Sequence, residues 1–144
     1  MSDNSSRVNA EESYDSSVRR VLVCGGRNYN DKDKMFKYLS DIFAFGGIDT
    51  LITGGASGAD SLAHEWGVKN GVPSCVYAAN WKAYGKSAGP IRNRLMLTHG
   101  KPTHVLAFEG GKGTRNMISQ AQKAGIKVIN LAALSSSQSE GTND

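Results

Sequence analysis

Short apolar runs alternate with stretches of helical periodicity through the central part of the chain. Apolar residues recur at Met35, Leu39 and Ile42, a spacing that places them on one face of a helix. Each apolar run, in contrast, is as short as a buried strand and is followed by glycine or polar residues. The predicted strands are 20–24, 50–53, 73–77, 104–108 and 127–130, and the predicted helices are 31–45, 61–70, 90–99 and 114–124.

Strand and helix alternate with short connections, and this order has a known structural consequence. Such chains form right-handed crossovers between parallel strands, with helices covering both faces of the sheet. The sequence therefore predicts an α/β fold, a Rossmann-like three-layer sandwich with a five-stranded, mainly parallel sheet.

The two ends of the chain differ in composition from its centre. Residues 1–17 are polar and acidic, and residues 135–144 read SSSQSEGTND. Both compositions are typical of disordered tails, so the domain is predicted to span 18–134. Within 18–134, 16 Lys and Arg face 7 Asp and Glu, a net charge of +9 against +4 for the whole chain. Such a core should attract phosphates, nucleotides or a nucleic-acid backbone, although scattered lysines can also serve solubility alone.

Other classes of protein are disfavoured by what the sequence lacks. No apolar run approaches the roughly 20 residues of a membrane span, and residues 1–17 do not have the layout of a secretory signal. Cys24 and Cys75 lie in apolar runs without the spacing of a disulfide framework or a metal site. We therefore expect a cytoplasmic protein with no metal, no cofactor and no membrane partner.

Four segments follow predicted strands, at the sheet edge where open parallel sheets bind ligands. They are GGRNYND (25–31), GGASGAD (54–60), the connection 78–93 and EGGKGT (109–114). Glycine lets backbone N–H groups approach a phosphate, and the following helix N-terminus adds partial positive charge. Tight turns also use glycine for structural reasons, so it is the coincidence of three such loops that favours a binding site. The predicted ligand-binding residues are Gly25, Gly26, Arg27, Gly54, Gly55, Ser57, Gly58, Asp60, Arg92, Asn93, Gly110, Gly111, Lys112, Gly113 and Thr114.

Several side chains at this edge have two interpretations each. Asp60 and Thr114 are suited to cap the helices that follow them, and each could instead contact a ligand. An arginine at a helix start opposes the helix dipole, so Arg92 is predicted to recognise a phosphate or carboxylate. Trp81 and Tyr84 could stack on a base or anchor their loop. Neither GxxxxGK[ST] nor a suitable GxGxxG is present, which disfavours P-loop and dehydrogenase functions.

Together, GGRNYND, GGASGADSLAHEW, NW…YGKSAGPIRNRLML and AFEGGKGTRNM resemble the SLOG superfamily, specifically its short YspA/YpsA-related branch. The resemblance covers about 18–131 and implies a Rossmann-like fold, a nucleotide or nucleotide-derived ligand and a homo-oligomer. The superfamily includes LOG phosphoribohydrolases, which release a base from a nucleoside monophosphate, and the single-stranded-DNA-binding protein DprA.

The last glycine loop is similar to the LOG motif PGGxGTxxE. Its phosphate-binding part is matched by Gly110, Gly111, Gly113 and Thr114. Glu109 replaces the proline, and Asn116 and Met117 stand where LOG enzymes carry glutamates. GGASGAD and GPIRNR resemble the DprA segments SGxAxGID and PxRNR, which implies a DNA-backbone role for Arg92, Asn93 and Arg94.

Three functions therefore stay open. The first is binding of a phosphorylated nucleotide or nucleotide-derived molecule, in a sensor, sequestering or carrier role. The second is a LOG-like N-glycosidase or phosphoribohydrolase, in which Glu109 and Arg92 would be the catalytic residues. The third, less favoured, is DprA-like binding of single-stranded nucleic acid.

Overall fold

The computed structural model describes residues 18–132, in which strands and helices alternate. The predicted tails 1–17 and 135–144 lie outside the described residues. The strands are β1 (Arg20–Cys24), β2 (Thr50–Thr53), β3 (Ser74–Val76), β4 (His104–Ala107) and β5 (Lys127–Asn130). The helices are α1 (Lys32–Gly46), α2 (Ala59–Asn70), α3 (Trp81–Tyr84), α4 (Ala88–Thr98) and α5 (Lys112–Lys123), with a 3-10 turn at Gly85–Ser87.

The five strands form one sheet in the order β3-β2-β1-β4-β5. All of its strand pairs are parallel; Val21 of β1, for example, lies opposite Leu51 of β2 and His104 of β4. The predicted α/β class and sheet are thus confirmed. Strand order reverses between β1 and β4, and in open α/β sheets a ligand crevice forms beyond the strand ends at such a point.

Helices cover both faces of the sheet. Side chains alternate along β1, so Val21 and Val23 face one side while Leu22 and Cys24 face the other. The first side packs against α1 and α2, with Trp66 of α2 fully buried there. The second side packs against α4 and α5. The three-layer arrangement predicted from the sequence is therefore correct.

Three helices begin two residues earlier than the sequence predicts: α2 at Ala59, α4 at Ala88 and α5 at Lys112. In α2 and α5 the N-cap is a glycine without a side-chain bond, so the sequence carries no capping signal there. Asp60 and Thr114 accordingly lie inside the first turn, and the prediction that they cap their helices is wrong.

The early start of α4 changes two further expectations. Pro90 becomes the third residue of the helix, still in the first turn, where its missing N–H costs nothing. Arg92 lies in the second turn, so the argument from an unfavourable helix dipole does not apply to it. The 78–89 connection also contains α3, which the sequence did not predict; Asn80 caps it by accepting from the Ala83 N–H at 3.0 Å.

Trp66 should be the largest single contributor to the first face of the core. Its ring meets Phe43 edge-on at 5.3 Å, and its Nε1 donates to the Ser40 hydroxyl at 2.9 Å. We expect Trp66→Ala to lower the free energy of unfolding by about 3–5 kcal/mol. Ser40→Ala, which removes only the hydrogen bond, should cost about 1 kcal/mol. Urea unfolding measures both values, and a near-neutral Trp66→Ala would contradict this packing.

Candidate functional site

The loop after β1 lies between the loops after β2 and β4 and is bonded to both. The N–H of Gly26 donates to the Glu109 carbonyl at 2.7 Å, and the Gly26 carbonyl accepts from the Ala59 N–H at 3.1 Å. The three glycine-rich loops predicted to meet are therefore joined through the backbone of one residue, Gly26, at the point where strand order reverses.

The glycines of these loops fall into two groups. In the first group a Cβ would crowd a neighbouring atom: at Gly25 it would lie 2.6 Å from the Cβ of Ala59, and at Gly110 it would overlap the Thr114 hydroxyl. A side chain at these positions would require the neighbouring groups to shift. Gly111 and Gly113 form the second group, because the space over their missing side chains is open. The first group comprises Gly25, Gly26, Gly54, Gly55, Gly58 and Gly110.

A cleft of about 730 Å³ opens beside this junction, within the size range of small-molecule sites. Of the predicted ligand-binding residues, it is lined by Gly25, Gly26, Arg27, Asp60, Arg92, Asn93, Gly111, Lys112, Gly113 and Thr114.

A smaller cavity of about 250 Å³ shares part of the wall of this cleft. The remaining predicted residues of the second loop, Gly54, Gly55 and Ser57, line it together with Arg27 and Arg92. Gly58 and Gly110 line neither cavity, so the structure gives them a packing position between loops. The binding role of each of these residues stays a prediction.

Helix α5 begins at the wall of the large cleft. Its N-cap is Gly111, and no side chain within residues 18–132 caps it. The first N–H groups of a helix have no partner inside the helix, and they carry the positive end of its dipole. An anion is the complement of this arrangement. Lys112, the first residue of the helix, is exposed and lines the same cleft.

Asp60 and Arg92 hold the same residue from opposite sides. The Gly54 N–H donates to Oδ2 of Asp60 at 3.1 Å, and the Gly54 carbonyl accepts from Nη1 of Arg92 at 2.9 Å. The Ala56 N–H also donates to Oδ2 of Asp60 at 3.1 Å. Two amides of this loop, those of Gly54 and Ala56, are thus already bonded to a carboxylate, whereas no side chain in the described part of the chain caps the start of α5.

Burial acts on both charged groups of this pair. It raises the pKa of Asp60, against the lowering effects of the Ala56 N–H, Arg92 and the Gly54 N–H. It lowers the pKa of Arg92, a shift that the neighbouring Asp60 opposes. Burial likewise raises the pKa of the Cys24 thiol, at the cleft floor, to about 12. Cys24 is therefore a neutral thiol near pH 7 and unsuited to act as a nucleophile.

Asn93 connects α4 to the start of α5. Only 3% of it is exposed, and its side chain accepts from Nε of Arg92 at 3.0 Å. Its amide nitrogen donates to the Gly113 carbonyl and to Oδ1 of Asn116, both at 3.1 Å. Asn93 thus positions Arg92 and the helix start.

Two side chains that line the cleft and carry nitrogen donors, those of Asn116 and Lys86, were among neither the predicted ligand-binding residues nor the candidates for base stacking. Asn116 was noted only as a departure from the LOG motif, and Lys86 had no signal other than its charge. Trp81, a candidate for stacking, lines both cavities with 46% of its surface exposed. The Arg27 guanidinium lies 5.1 Å from the centre of the Trp81 ring, within range of a cation–π interaction.

Glu109, the predicted catalytic carboxylate, lines neither cavity. Its Oε2 lies 3.3 Å from Nζ of Lys34, on the α1 side of the junction. A catalytic role for Glu109 stays a prediction, and this placement disfavours it. Within residues 18–132 no group of three or more metal-ligating side chains is suited to hold an ion. No helix in the same range is long and apolar enough to cross a membrane; the cytoplasmic location stays a prediction.

Strand order and the position of the crevice define the class: a Rossmann-like α/β protein with its cleft at the β1–β4 switch point. Residues 19–84 match the family described as YspA, cpYpsA-related SLOG. The Gene 61 protein of Mycobacterium phage D29 is 37% identical over 122 residues, covering 79% of this chain and 97% of the phage protein. The chain belongs to the YspA, cpYpsA-related SLOG family. This membership supports, in general terms, a function related to nucleotides or nucleic acids.

The fold is also similar to a solved structure, DNA processing protein A (DprA) from Streptococcus pneumoniae. The TM-score is 0.61 at 18% sequence identity, and the match covers 78% of this chain. It covers 50% of the DprA chain, so this protein spans about half the length of that structure. At this identity the likeness concerns the fold alone.

Asp60 should make the free energy of unfolding of the protein depend on pH. Because its pKa is raised on folding, the charged carboxylate lowers stability at neutral pH, and this cost disappears as the pH falls through the raised pKa. Asp60→Asn can keep both bonds through one oxygen, so it should unfold at equal or higher urea concentration at neutral pH and show a weaker pH dependence. Asp60→Ala leaves two N–H groups unbonded, at about 1–3 kcal/mol each. An Asn variant as unstable as the Ala variant would contradict this assignment.

Proposed function

We propose that the protein binds a phosphorylated nucleotide or nucleotide-derived small molecule in the large cleft, as a sensor, sequestering protein or carrier. One observation carries the proposal: α5 starts without a capping side chain at this cleft, with open space over Gly111 and Gly113. A phosphate at this position would accept from the unbonded N–H groups of the first turn.

The charges around the cleft support an anionic ligand. Four cationic side chains line it, and Asp60 is its only carboxylate within residues 18–132. Oδ2 of Asp60 already accepts from two backbone N–H groups. Arg92 is held by the Gly54 carbonyl and Asn93, so its guanidinium is pre-oriented at the cleft wall. The four cationic residues are Arg27, Lys86, Arg92 and Lys112.

The remaining lining suits the rest of a nucleotide. Cys24, Met96 and Pro90 supply an apolar surface, and the half-exposed Trp81 offers an aromatic face. Pockets of this kind combine apolar walls with a few polar groups that fix orientation. A homo-oligomer remains part of the proposal through the family resemblance.

The hydrolase alternative lacks a comparable observation. A phosphoribohydrolase needs a general acid or base within hydrogen-bond reach of the scissile bond. Glu109 is directed to Lys34, and the carboxylate that lines the cleft is engaged by loop amides. Incubation with nucleoside monophosphates, followed by chromatography for the released base, tests whether the protein is a hydrolase. If base is released and the release persists in both Asp60→Asn and Glu109→Gln, neither carboxylate is the general acid or base.

Gly111→Asp provides the direct test of the phosphate position. The backbone there has a negative φ of −107° and open space, so the variant should fold normally. The added carboxylate would lie where the phosphate must approach, and binding of nucleotides measured by calorimetry should fall below detection. Ser119→Asp adds the same charge at an exposed position of the same helix and should bind as the wild type does.

The probes are nucleoside monophosphates, cyclic nucleotides and ADP-ribose, each raised to millimolar concentration. Wild-type protein that binds none of them would contradict the proposed function. Equal binding by Gly111→Asp and wild type would show that the phosphate does not bind at the start of α5.

Single-stranded nucleic acid is the second candidate, favoured by the exposed Trp81 ring beside the cationic Arg27. It predicts that log affinity for an oligonucleotide falls linearly with log salt, by roughly 0.7 per phosphate contacted. The small-molecule site predicts instead no oligonucleotide binding at physiological salt. Fluorescence anisotropy over a salt series separates the two, and tight oligonucleotide binding at physiological salt would favour the second candidate.

A further inference from the structure

A chain of three side-chain amides, Asn93, Asn116 and Gln120, connects α4 and α5 beside the cleft, and the partners at its two ends fix the direction of every hydrogen bond in it. At one end, Nε of Arg92 can only donate, so the Asn93 atom that it meets is the amide oxygen. At the other side of Asn93, the Gly113 carbonyl can only accept, so the atom bonded to it is the amide nitrogen. The orientation of the Asn93 amide follows from its partners.

Gln120 is fixed in the same way from the other direction. Its nitrogen Nε2 lies 3.2 Å from the Pro90 carbonyl, which can only accept. Nε2 of Gln120 and Nδ2 of Asn93 then both meet one atom of Asn116, at 2.7 Å and 3.1 Å. Because both are donors, that atom must be the Asn116 oxygen, Oδ1.

The side chain of Asn116 can therefore offer a further partner only hydrogen-bond donors. Its Oδ1 accepts two hydrogen bonds, which uses its lone pairs, and its Nδ2 has no partner within residues 18–132. The residue is half-buried and lines the large cleft two residues beyond Thr114. A half-buried amide nitrogen at a ligand cleft is satisfied when the ligand supplies an oxygen acceptor.

We infer that Asn116 is a specificity-determining residue that donates through Nδ2 to an anionic oxygen of the ligand, beside the N–H groups at the start of α5. The inference rests on the proposed function and goes beyond it, because it assigns a second, side-chain donor to the phosphoryl group. A neutral nucleoside offers hydroxyl groups but no anionic oxygen at this position. Asn116 thus contributes to the choice of a nucleotide over its nucleoside.

Asn116→Asp replaces the donor with a charged acceptor and leaves the rest of the network in place. One carboxylate oxygen can still accept from Asn93 and Gln120, so the fold and the amide chain are retained. The other oxygen replaces Nδ2, which removes the donor and places a negative charge beside the phosphoryl group. Calorimetry with AMP at neutral pH should give at least a tenfold loss of affinity, while Ser119→Asp, with the same charge change outside the cleft, should lose none.

A pH series separates this role from a structural one. The phosphate raises the pKa of a carboxyl group beside it, and the introduced carboxyl group becomes a donor again once it is protonated. Wild type should therefore bind AMP more tightly than the variant by a smaller factor as the pH is lowered toward about 5. A factor that is independent of pH, or a variant that binds AMP as tightly as wild type, would overturn the inference while the proposed function stands.

A second measurement uses the wild-type chain and does not depend on the folding of the variant. The side-chain amide signals of Asn116 in a ¹⁵N spectrum should shift on addition of AMP and stay in place on addition of adenosine. Equal shifts with both, or none with AMP, would overturn the inference. Failure of the wild type to bind AMP in calorimetry would reject the inference for this probe, and failure across the whole nucleotide panel would reject the proposed function as well.

Discussion

The backbone of Gly26 is the constraint on which the site depends. Its N–H is bonded to the loop after β4 and its carbonyl to the start of α2, so the three loops can meet only if their backbones come close. Side chains are excluded from this junction: Cβ atoms at Gly25, Gly58 or Gly110 would collide with the neighbouring loop. Because the junction fixes the loop that leads into α5, this helix begins at the cleft wall without a capping side chain from the described residues.

The hydrogen bonds around the cleft occupy side-chain acceptors and leave donors available. Asp60, the carboxylate at its wall, is occupied by the amides of the second loop, and the Asn116 oxygen is occupied by Asn93 and Gln120. The groups left for a ligand are donors and cations: Nδ2 of Asn116, the start of α5 and the guanidinium of Arg92. A site of this kind complements an oxygen-rich anion, which links the packing of the loops to the chemistry of the proposed ligand.

The strands, the layers and the sheet edge that carries the cleft could be predicted, because hydrophobic periodicity follows directly from burial. The starts of α2 and α5 could not, since Gly58 and Gly111 cap these helices without a side-chain signal. Sequence also could not separate the glycines that permit packing from those that leave open space, because that difference depends on neighbours distant in the chain. Arg92 lines the cleft, but the helix-dipole argument made for it from the sequence does not apply. No signal in the sequence marked Asn116 as a donor, because its unbonded Nδ2 results from the bonds that Asn93 and Gln120 make to its oxygen.

The most direct test is a crystal structure of the protein soaked with the nucleotide that binds most tightly in calorimetry. We expect phosphate oxygens within about 3 Å of the backbone N–H groups that follow Gly111, the hydrogen-bonding distance for such donors. We also expect Arg92 to contact the same phosphate. A nucleotide seated away from the start of α5, for example at the opposite end of the sheet, would contradict the account.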